Sequence, residues 1–206
     1  QRRLRRFIMN DVHCVAVIGA ESTGKSTLCR ALAQAMGGLT FTEPLRQWVG
    51  QHHRTPHACE QEQVLHQQRH AEQLARHQAQ ILGQRWVLCD SAPLVTAAYS
   101  QHYFQDSSLT PQALAHHSRC YVATLFCTPN GIDWVADQGQ RDSPTARAAV
   151  HDVLLRMVTE LTERHPLLVL TGTERNRMTQ AQAWLMQIGE KQVGTLPLGS
   201  RPTGVR

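Results

Sequence analysis

The feature that most constrains the fold is a glycine-rich stretch, GAESTGKST, placed between an apolar run and a helical pattern. Its spacing, Gly19-x-x-x-x-Gly24-Lys25-Ser26, matches the P-loop, whose backbone N–H groups cradle the phosphates of a nucleoside triphosphate. The apolar run HCVAVI precedes it, and residues 25–36 follow with helical spacing. Because this loop works between a parallel strand and a helix N-terminus, it predicts an α/β domain that binds a nucleoside triphosphate.

Short apolar runs alternate with helical patterns along the rest of the chain, which is typical of a parallel sheet with helices on both faces. A long amphipathic helix is predicted over 58–82, with Val64, Ala71, Leu74, Ala75 and Leu82 on its apolar face. A final helix is predicted to begin with a capping box at Thr179 and to stop at Gly189. The fold class that we expect is a P-loop NTPase fold with a five-stranded parallel sheet. The predicted strands are 13–19, 39–42, 85–90, 121–127 and 166–172.

Positive charge is concentrated at the start of the chain, where four arginines lie within the first six residues. The rest holds 17 basic residues, 21 less these four, against 16 acidic ones. Since a nucleic-acid-binding face needs an excess of positive charge, we do not expect a nucleic-acid partner. We predict a basic N-terminal arm at 1–12, the P-loop domain at 13–190 and a C-terminal tail at 191–206.

Cysteine usage and hydropathy indicate the compartment. Six cysteines are scattered without a C-x-x-C pair, as in proteins whose thiols stay reduced. No run approaches the roughly 18 apolar residues of a membrane span. We therefore predict a cytoplasmic protein whose partner is a small molecule and not a membrane.

The P-loop pattern assigns roles to its own side chains. Lys25 is predicted to reach the β- and γ-phosphates of ATP, and Ser26 is predicted to give its hydroxyl to Mg²⁺. The residues predicted to bind the nucleotide are Gly19, Glu21, Ser22, Thr23, Gly24, Lys25, Ser26 and Thr27.

Two acids follow predicted strands beside this loop, where open parallel sheets bind their ligands. Asp90 ends the run RWVLCD and is predicted either to hold Mg²⁺ or to cap the next helix. Glu43, followed by Pro44, could accept the proton of an attacking hydroxyl, or could be a surface acid paired with Arg46. Either acid could hold the metal and the other could orient the acceptor.

The polar segment from Trp134 to Arg147 is predicted to be a lid. Phosphoryl transfer requires closure against water, and a guanidinium on the lid can neutralise charge on the transferring oxygens. Arg141 is a stronger candidate than Arg147 because glycine and aspartate flank it. The alternative is that these arginines are exposed residues at the start of a helix.

Several stretches resemble, in order, the ribosylnicotinamide kinase domain of bacterial NadR and its AAA-type ATPase relatives. They are GAESTGKSTL, FTEPLRQWV, VLCDSAPLVTAAYSQHY, DWVADQGQRD and TGTERNRMTQA, within residues 13–189. The resemblance implies transfer of the γ-phosphate of ATP to the 5′-hydroxyl of nicotinamide riboside. It implies that Lys25, Glu43, Asp90 and Arg141 are catalytic, that Glu43, Arg46 and Asp90 bind the acceptor, and that Ser26 and Asp90 bind Mg²⁺.

The stretch around Glu43 and Pro44 also resembles the acceptor site of deoxynucleoside kinases, where the glutamate is the general base. Two positions depart from the NadR pattern. Ala92 stands where a second acid is expected after Asp90, and the lid motif that ends at Arg141 is one residue longer.

The resemblance makes a small-molecule kinase the first hypothesis. The alternative is a regulatory ATPase without an acceptor, and a polynucleotide kinase ranks third.

Overall fold

The strand before the glycine-rich loop lies at the centre of a five-stranded parallel sheet. The structure is a computed structural model and describes residues 11–135, 143–161 and 165–193. Its strands are β1 (His13–Ile18), β2 (Leu39–Thr40), β3 (Trp86–Asp90), β4 (Ala123–Cys127) and β5 (Leu167–Leu170). Its helices are α1 (Lys25–Met36), α2 (Pro44–His52), α3 (Gln61–Leu82), α4 (Pro93–Phe104), α5 (Thr110–Cys120), α6 (Pro144–Thr159) and α7 (Glu174–Val193), and a 3₁₀ turn (Ala58–Glu60) precedes α3.

The strand order β2-β3-β1-β4-β5 confirms the predicted fold. β1 pairs in parallel with β3 on one side, where Val17 aligns with Asp90, and with β4 on the other, where Ile18 aligns with Phe126. The chain therefore changes direction across the sheet at β1. Because ligands of open α/β sheets bind outside the carboxyl ends of the strands at such a point, the loop after β1 and the end of β3 share one edge.

The three central strands are buried on both faces, which explains why they read as continuous apolar runs. On one face Ala16, Ile18 and Phe126 pack in a cluster with residues of α4 and α6. On the other face Val15 and Leu125 pack in a cluster with residues of α1 and α7. The two clusters hold the sheet between two helical layers and leave its carboxyl edge for the site.

Several predicted boundaries are wrong, and three of them have a clear physical reason. β2 ends at Thr40, because it pairs only with β3 and the chain leaves the sheet before α2 begins. α7 begins at Glu174, since the hydroxyl of Thr173 accepts from a backbone N–H of the first turn at 3.3 Å. α7 also continues past Gly189, where a Cβ would lie 3.0 Å from the ring of Trp86, so this glycine serves helix packing. Residues 1–10 and 194–206 of the predicted arm and tail lie outside the described residues.

α3 is amphipathic, but its buried face is more polar than the sequence predicts. Leu74 is 57% exposed, whereas Gln68 and Glu72 are buried. Gln68 Nε2 donates to Glu72 Oε1 and to the carbonyl of Ser91, each at 2.8 Å, and the Tyr121 hydroxyl donates to Glu72 Oε1 at 2.6 Å. Polar side chains are tolerated there because they satisfy one another. α3 therefore fixes the turn that follows β3.

All six cysteines are free thiols, and four of them are buried. Across residues 11–135, 143–161 and 165–193, no helix is both long enough and apolar enough to cross a bilayer.

The stability of the fold should depend on pH through His117 in α5. This side chain is fully buried, and its Nε2 lies 2.6 Å from the hydroxyl of Thr124. Burial, assisted by the nearby rings of His165 and His116, lowers the pKa of His117 to about 3 from 6.5. Below pH 6.5 the unfolded chain gains a proton that the folded chain resists, so the free energy of unfolding falls as the pH falls toward 3.

At pH 5 this difference corresponds to about 2 kcal/mol. Urea denaturation at pH 7 and at pH 5 measures the loss, and a His117→Gln variant, which keeps a polar side chain near Thr124, is expected to show a shallower pH dependence. An equal decrease in both proteins would contradict the assignment to His117.

Candidate active site

The glycine-rich loop between β1 and α1 is curled around its own backbone. Gly19 has a φ of 155°, which glycine tolerates best, and a Cβ there would overlap the carbonyl of Cys127 on β4. The hydroxyl of Thr23 and the ammonium of Lys25 each donate to the carbonyl of Ala20 at 2.8 Å. The loop thus has a closed form in which a helix N-terminus and a lysine can face an anion.

A buried arginine fastens this loop to two others. Arg177 lies in the first turn of α7 and is 2% exposed. Its guanidinium donates to the carbonyl of Thr23 at 3.1 Å, and to those of Thr128, Asn130 and Gly172 at 2.9, 2.6 and 2.8 Å. These acceptors are neutral, so they do not cancel its positive charge. Arg177 therefore orders three loops and adds positive potential beneath the phosphate cradle.

No spacing in the sequence assigns a role to Arg177, although it lies within the stretch TGTERNRMTQA. An Arg177→Lys substitution is expected to lower the free energy of unfolding by about 2 kcal/mol, because an ammonium cannot satisfy four carbonyls in a planar fork. It should also weaken ATP binding by displacing the Thr23 carbonyl. Urea denaturation and titration with a fluorescent ATP analogue measure the two effects. Arg175→Lys is the matched control for stability, since Arg175 is exposed on the same helix; an equal loss in the free energy of unfolding of both variants would contradict the role.

The sequence predicts Arg147 in the lid, and this prediction is wrong. Arg147 lies in α6, is 6% exposed, and donates through Nη2 to the carbonyls of Pro129 and Ile132 at 2.6 and 2.7 Å. α6 begins at Pro144, so residues 144–147 of the predicted lid segment belong to a helix. Arg141 lies outside the described residues, and its role in a lid stays a prediction.

A cavity of about 470 Å³ lies beside the glycine-rich loop. It is bounded by this loop and α1 on one side, and by residues of α2 and α4 on the other. Gly19 and Asp90 are not in its lining, because Gly19 forms the turn behind the loop and Asp90 is buried at the end of β3. The predicted site residues that line it are Glu21, Ser22, Thr23, Gly24, Lys25, Ser26, Thr27, Glu43 and Arg46.

Asp90 is 4% exposed, and its Oδ1 has no hydrogen-bond partner within the described ranges. It does not cap a helix, because the residue that precedes α4 at the N-cap position is Ala92. Burial, followed by the charge of Asp90, raises the pKa of the Cys29 thiol on α1 far above its usual value. The Asp90 carboxylate therefore lies close to the base of α1, with an oxygen to offer to a ligand of the loop.

Glu43 occupies the N-cap position of α2, and its carbonyl accepts the backbone N–H groups of Arg46 and Gln47 at 3.0 and 3.2 Å. Its carboxylate does not cap the helix but lines the cavity, half buried. Arg46, one turn later, is exposed and lines the same cavity. The wall opposite the loop therefore carries one carboxylate and one guanidinium.

A second carboxylate and an aromatic wall complete the cavity. Glu21 in the glycine-rich loop accepts a hydrogen bond from the Tyr99 hydroxyl at 2.8 Å. Burial and then the charge of Glu21 raise the pKa of Tyr99 far above 10, so Tyr99 remains a donor. The ring of Tyr99 stacks on that of Tyr103 with centroids 6.0 Å apart, and Phe104 adds a third ring. These rings offer a surface for a flat heterocycle.

A smaller cleft of about 210 Å³ flanks the start of α1 and is mostly apolar. Among the residues that line it are Thr27, Leu28, Ala31, Ile132 and Met178. It shares Gly24 and Thr27 with the large cavity, so the two spaces meet at the glycine-rich loop. The arrangement can hold a triphosphate on the loop, with its base in the small cleft and a second molecule in the large cavity.

Comparison with known proteins gives a consistent picture. A family model described as an AAA domain matches residues 14–177. Two solved NadR structures are similar at 18% identity: the complex with NAD and AMP-PNP has a TM-score of 0.68, and the complex with NR has one of 0.63. Each comparison covers 94% of this chain, but 52% and 54% of the NadR chains, so this chain spans about half their length.

A deoxyadenosine kinase from M. mycoides with bound dATP is also similar, with a TM-score of 0.57 at 11% identity. This match covers 84% of the present chain and 99% of the kinase. No curated protein matches the sequence significantly. At these identities the similarity establishes the fold, which this chain shares with NadR and with a deoxyadenosine kinase.

Proposed function

The chain belongs to the AAA domain family, and from that premise we propose that it is a kinase that transfers the γ-phosphoryl group of ATP to a nucleoside. We further propose nicotinamide riboside as the acceptor. The observation that carries the proposal is the cavity of about 470 Å³ in which Lys25 and Glu43 face one space. An ATPase whose second substrate is water does not require a cavity of this size beside its phosphate loop, whereas a kinase must bind a second substrate there.

The walls of the cavity support a nucleoside acceptor. Tyr103 and Phe104 offer exposed aromatic surface for a heterocyclic base, and cationic rings are attracted to such faces. Glu21 and Glu43 supply carboxylates that suit hydroxyl groups and positive charge. The NadR complex with NR and the deoxyadenosine kinase with dATP are consistent with a ligand of this class.

The chemical step needs one proton acceptor and several positive charges. The acceptor oxygen attacks the γ-phosphorus, the bond to the β-phosphate oxygen breaks to release ADP, and the acceptor proton passes to Glu43. Lys25, whose ammonium now donates to Ala20, is placed to turn toward the phosphates and stabilise their charge. Arg177 fixes the backbone of Thr23 while the phosphates bind.

Mg²⁺ fits the residues at the base of the loop. Asp90 carries a buried oxygen without a partner among the described residues, and Ser26 adds a hydroxyl at the start of α1. Hard oxygen donors of this kind suit Mg²⁺, which keeps several waters and binds phosphates directly. When bound, the ion would neutralise charge on the phosphate oxygens. Asp90 and Ser26 would then hold it, and Glu43 would remain with the acceptor.

A second candidate function is a regulatory ATPase. Ala92 favours it, because the position offers no acid to the acceptor and is the N-cap of α4. The large cavity disfavours a regulatory ATPase, because residues of α2 and α4 line a space beside the loop that is large enough for a second ligand. The two functions differ in their products, since only a kinase forms a phosphorylated acceptor.

The test is incubation with Mg-ATP and a panel of nucleosides that includes nicotinamide riboside, with products identified by mass. A phosphorylated nucleoside formed in proportion to ADP is the expected result. ADP and inorganic phosphate without a phosphorylated acceptor would overturn the kinase in favour of the ATPase. Phosphorylation of another nucleoside in preference to nicotinamide riboside would overturn only the proposed acceptor.

A further inference from the structure

The carboxylate of Glu21 has an oxygen that neither the loop nor its neighbours use. Oε2 accepts from Tyr99 at 2.8 Å, but Oε1 is buried and has no hydrogen-bond partner in the part of the chain that the structure describes. Glu21 is 7% exposed, so bulk water does not solvate this oxygen freely. A buried acceptor without a donor destabilises the fold by about 1–3 kcal/mol. A ligand that donates a hydrogen bond to Oε1 would remove this cost.

The location of Glu21 argues against a contact between its carboxylate and ATP. The phosphates belong on the amide groups of the loop beside Lys25, and a carboxylate pointing at them would repel them. Instead the side chain lies against Tyr99 of α4 and lines the large cavity together with Glu43. The backbone of Glu21 thus remains part of the phosphate loop, while its carboxylate belongs to the space of the second substrate.

The missing partner must be a hydrogen-bond donor. The pyridinium ring of an N-linked nucleoside carries positive charge, but its nitrogen is bonded to the sugar and has no N–H, so the ring nitrogen cannot donate to a buried carboxylate oxygen. The sugar of a nucleoside offers hydroxyl groups, which donate readily to carboxylates in short charge-assisted bonds. If Glu43 receives the proton of the hydroxyl that reacts, a separate carboxylate is free to hold a hydroxyl on the sugar ring.

We propose that Glu21 Oε1, oriented by the Tyr99 hydroxyl, accepts a hydrogen bond from a secondary hydroxyl of the acceptor's sugar, and so selects ribonucleosides over deoxynucleosides. The inference rests on the proposed function, because it places a nucleoside in the cavity. Tyr99 acts as a positioning residue: it fixes the carboxylate by occupying Oε2 and leaves Oε1 for the ligand. A site built to bond a hydroxyl discriminates strongly against the analogue that lacks it.

The experiment compares matched acceptors that differ by one hydroxyl. For the best acceptor of the nucleoside panel, kcat/KM is measured with the ribonucleoside and with its 2′-deoxy and 3′-deoxy forms. The wild-type protein is expected to prefer the ribonucleoside over at least one deoxy form by about 10²-fold or more. Glu21→Ala should remove most of this preference, mainly by lowering kcat/KM for the ribonucleoside. Glu21→Gln, which keeps an acceptor oxygen, should retain part of the preference. Tyr99→Phe should reduce it without abolishing turnover.

A second measurement separates this inference from the proposed function. Calorimetric binding of the same nucleosides, with a non-hydrolysable ATP analogue present, reports the ribose preference without requiring turnover. Turnover by the wild-type protein with equal efficiency for ribo and deoxy forms would overturn the inference and leave the kinase intact. Absence of phosphorylation, together with a ribose preference in binding that Glu21→Ala removes, would overturn the kinase and support the subsite. Absence of any nucleoside binding would overturn both.

The affinity for ATP is the internal control. Titration with a fluorescent ATP analogue should give Glu21→Ala an affinity within about twofold of the wild-type value, because the carboxylate does not touch the phosphates. A large loss of ATP affinity with an unchanged ribose preference would place the Glu21 carboxylate in the nucleotide site and overturn the proposal.

Discussion

Replacement of Lys25 by methionine is expected to abolish phosphoryl transfer, with a decrease in kcat on the order of 10³-fold or more. Lys25 is the first residue of α1, and its ammonium donates to the carbonyl of Ala20 in the glycine-rich loop. Its charge is needed most when negative charge develops on the transferring oxygens. Methionine keeps the length and the apolar stem of the side chain but not the charge. The measurement is product formation from Mg-ATP and the best acceptor under saturating conditions.

The fold should survive this change. The Ala20 carbonyl that accepts from Lys25 also accepts from the Thr23 hydroxyl, so removal of the lysine does not leave it without a partner. We therefore expect a free energy of unfolding within about 1 kcal/mol of the wild-type value. Lys25→Arg is the matched variant, because it restores charge but not shape. Undiminished activity in Lys25→Met would show that the loop does not hold the reacting phosphates.

Replacement of Glu43 by glutamine is expected to slow phosphoryl transfer by about 10²-fold or more, the scale of a lost general base. The carboxylate of Glu43 does not cap α2, so glutamine should leave that helix intact. Binding of a fluorescent ATP analogue is expected to be unchanged. Wild-type turnover in Glu43→Gln would show that Glu43 is not the general base and would favour the alternative, a surface acid.

Asp90→Asn is the matched control, because it makes the same change from acid to amide on the other carboxylate. If Asp90 holds Mg²⁺, its variant should need a higher Mg²⁺ concentration for half-maximal activity, whereas Glu43→Gln should keep the wild-type Mg²⁺ dependence. If Glu43→Gln changed the Mg²⁺ dependence and Asp90→Asn did not, Glu43 would be the metal ligand and Asp90 the residue that serves the acceptor. The comparison thus resolves the assignment that the sequence leaves open.

Patterns that depend on neighbouring residues were readable from the sequence. The glycine spacing, the apolar runs and their polar ends predict the five strands and the edge where they end. Boundaries were less accurate, because they depend on contacts with distant residues. Gly189 looks like a helix stop, yet α7 continues through it since the ring of Trp86 packs against that side of the helix. Leu74 looks like core, yet α3 turns Gln68 and Glu72 inward to their polar partners.

By itself, the sequence predicted a phosphate-binding loop after the first strand, because a P-loop is specified by local backbone chemistry over eight residues. Only the tertiary structure decided what surrounds that loop. It placed Arg177 of α7 under Thr23, 154 residues earlier in the chain, and Tyr99 of α4 beside Glu21, 78 residues earlier. Such pairs leave no spacing pattern, since burial and hydrogen bonding between separate elements depend on how the sheet brings them together.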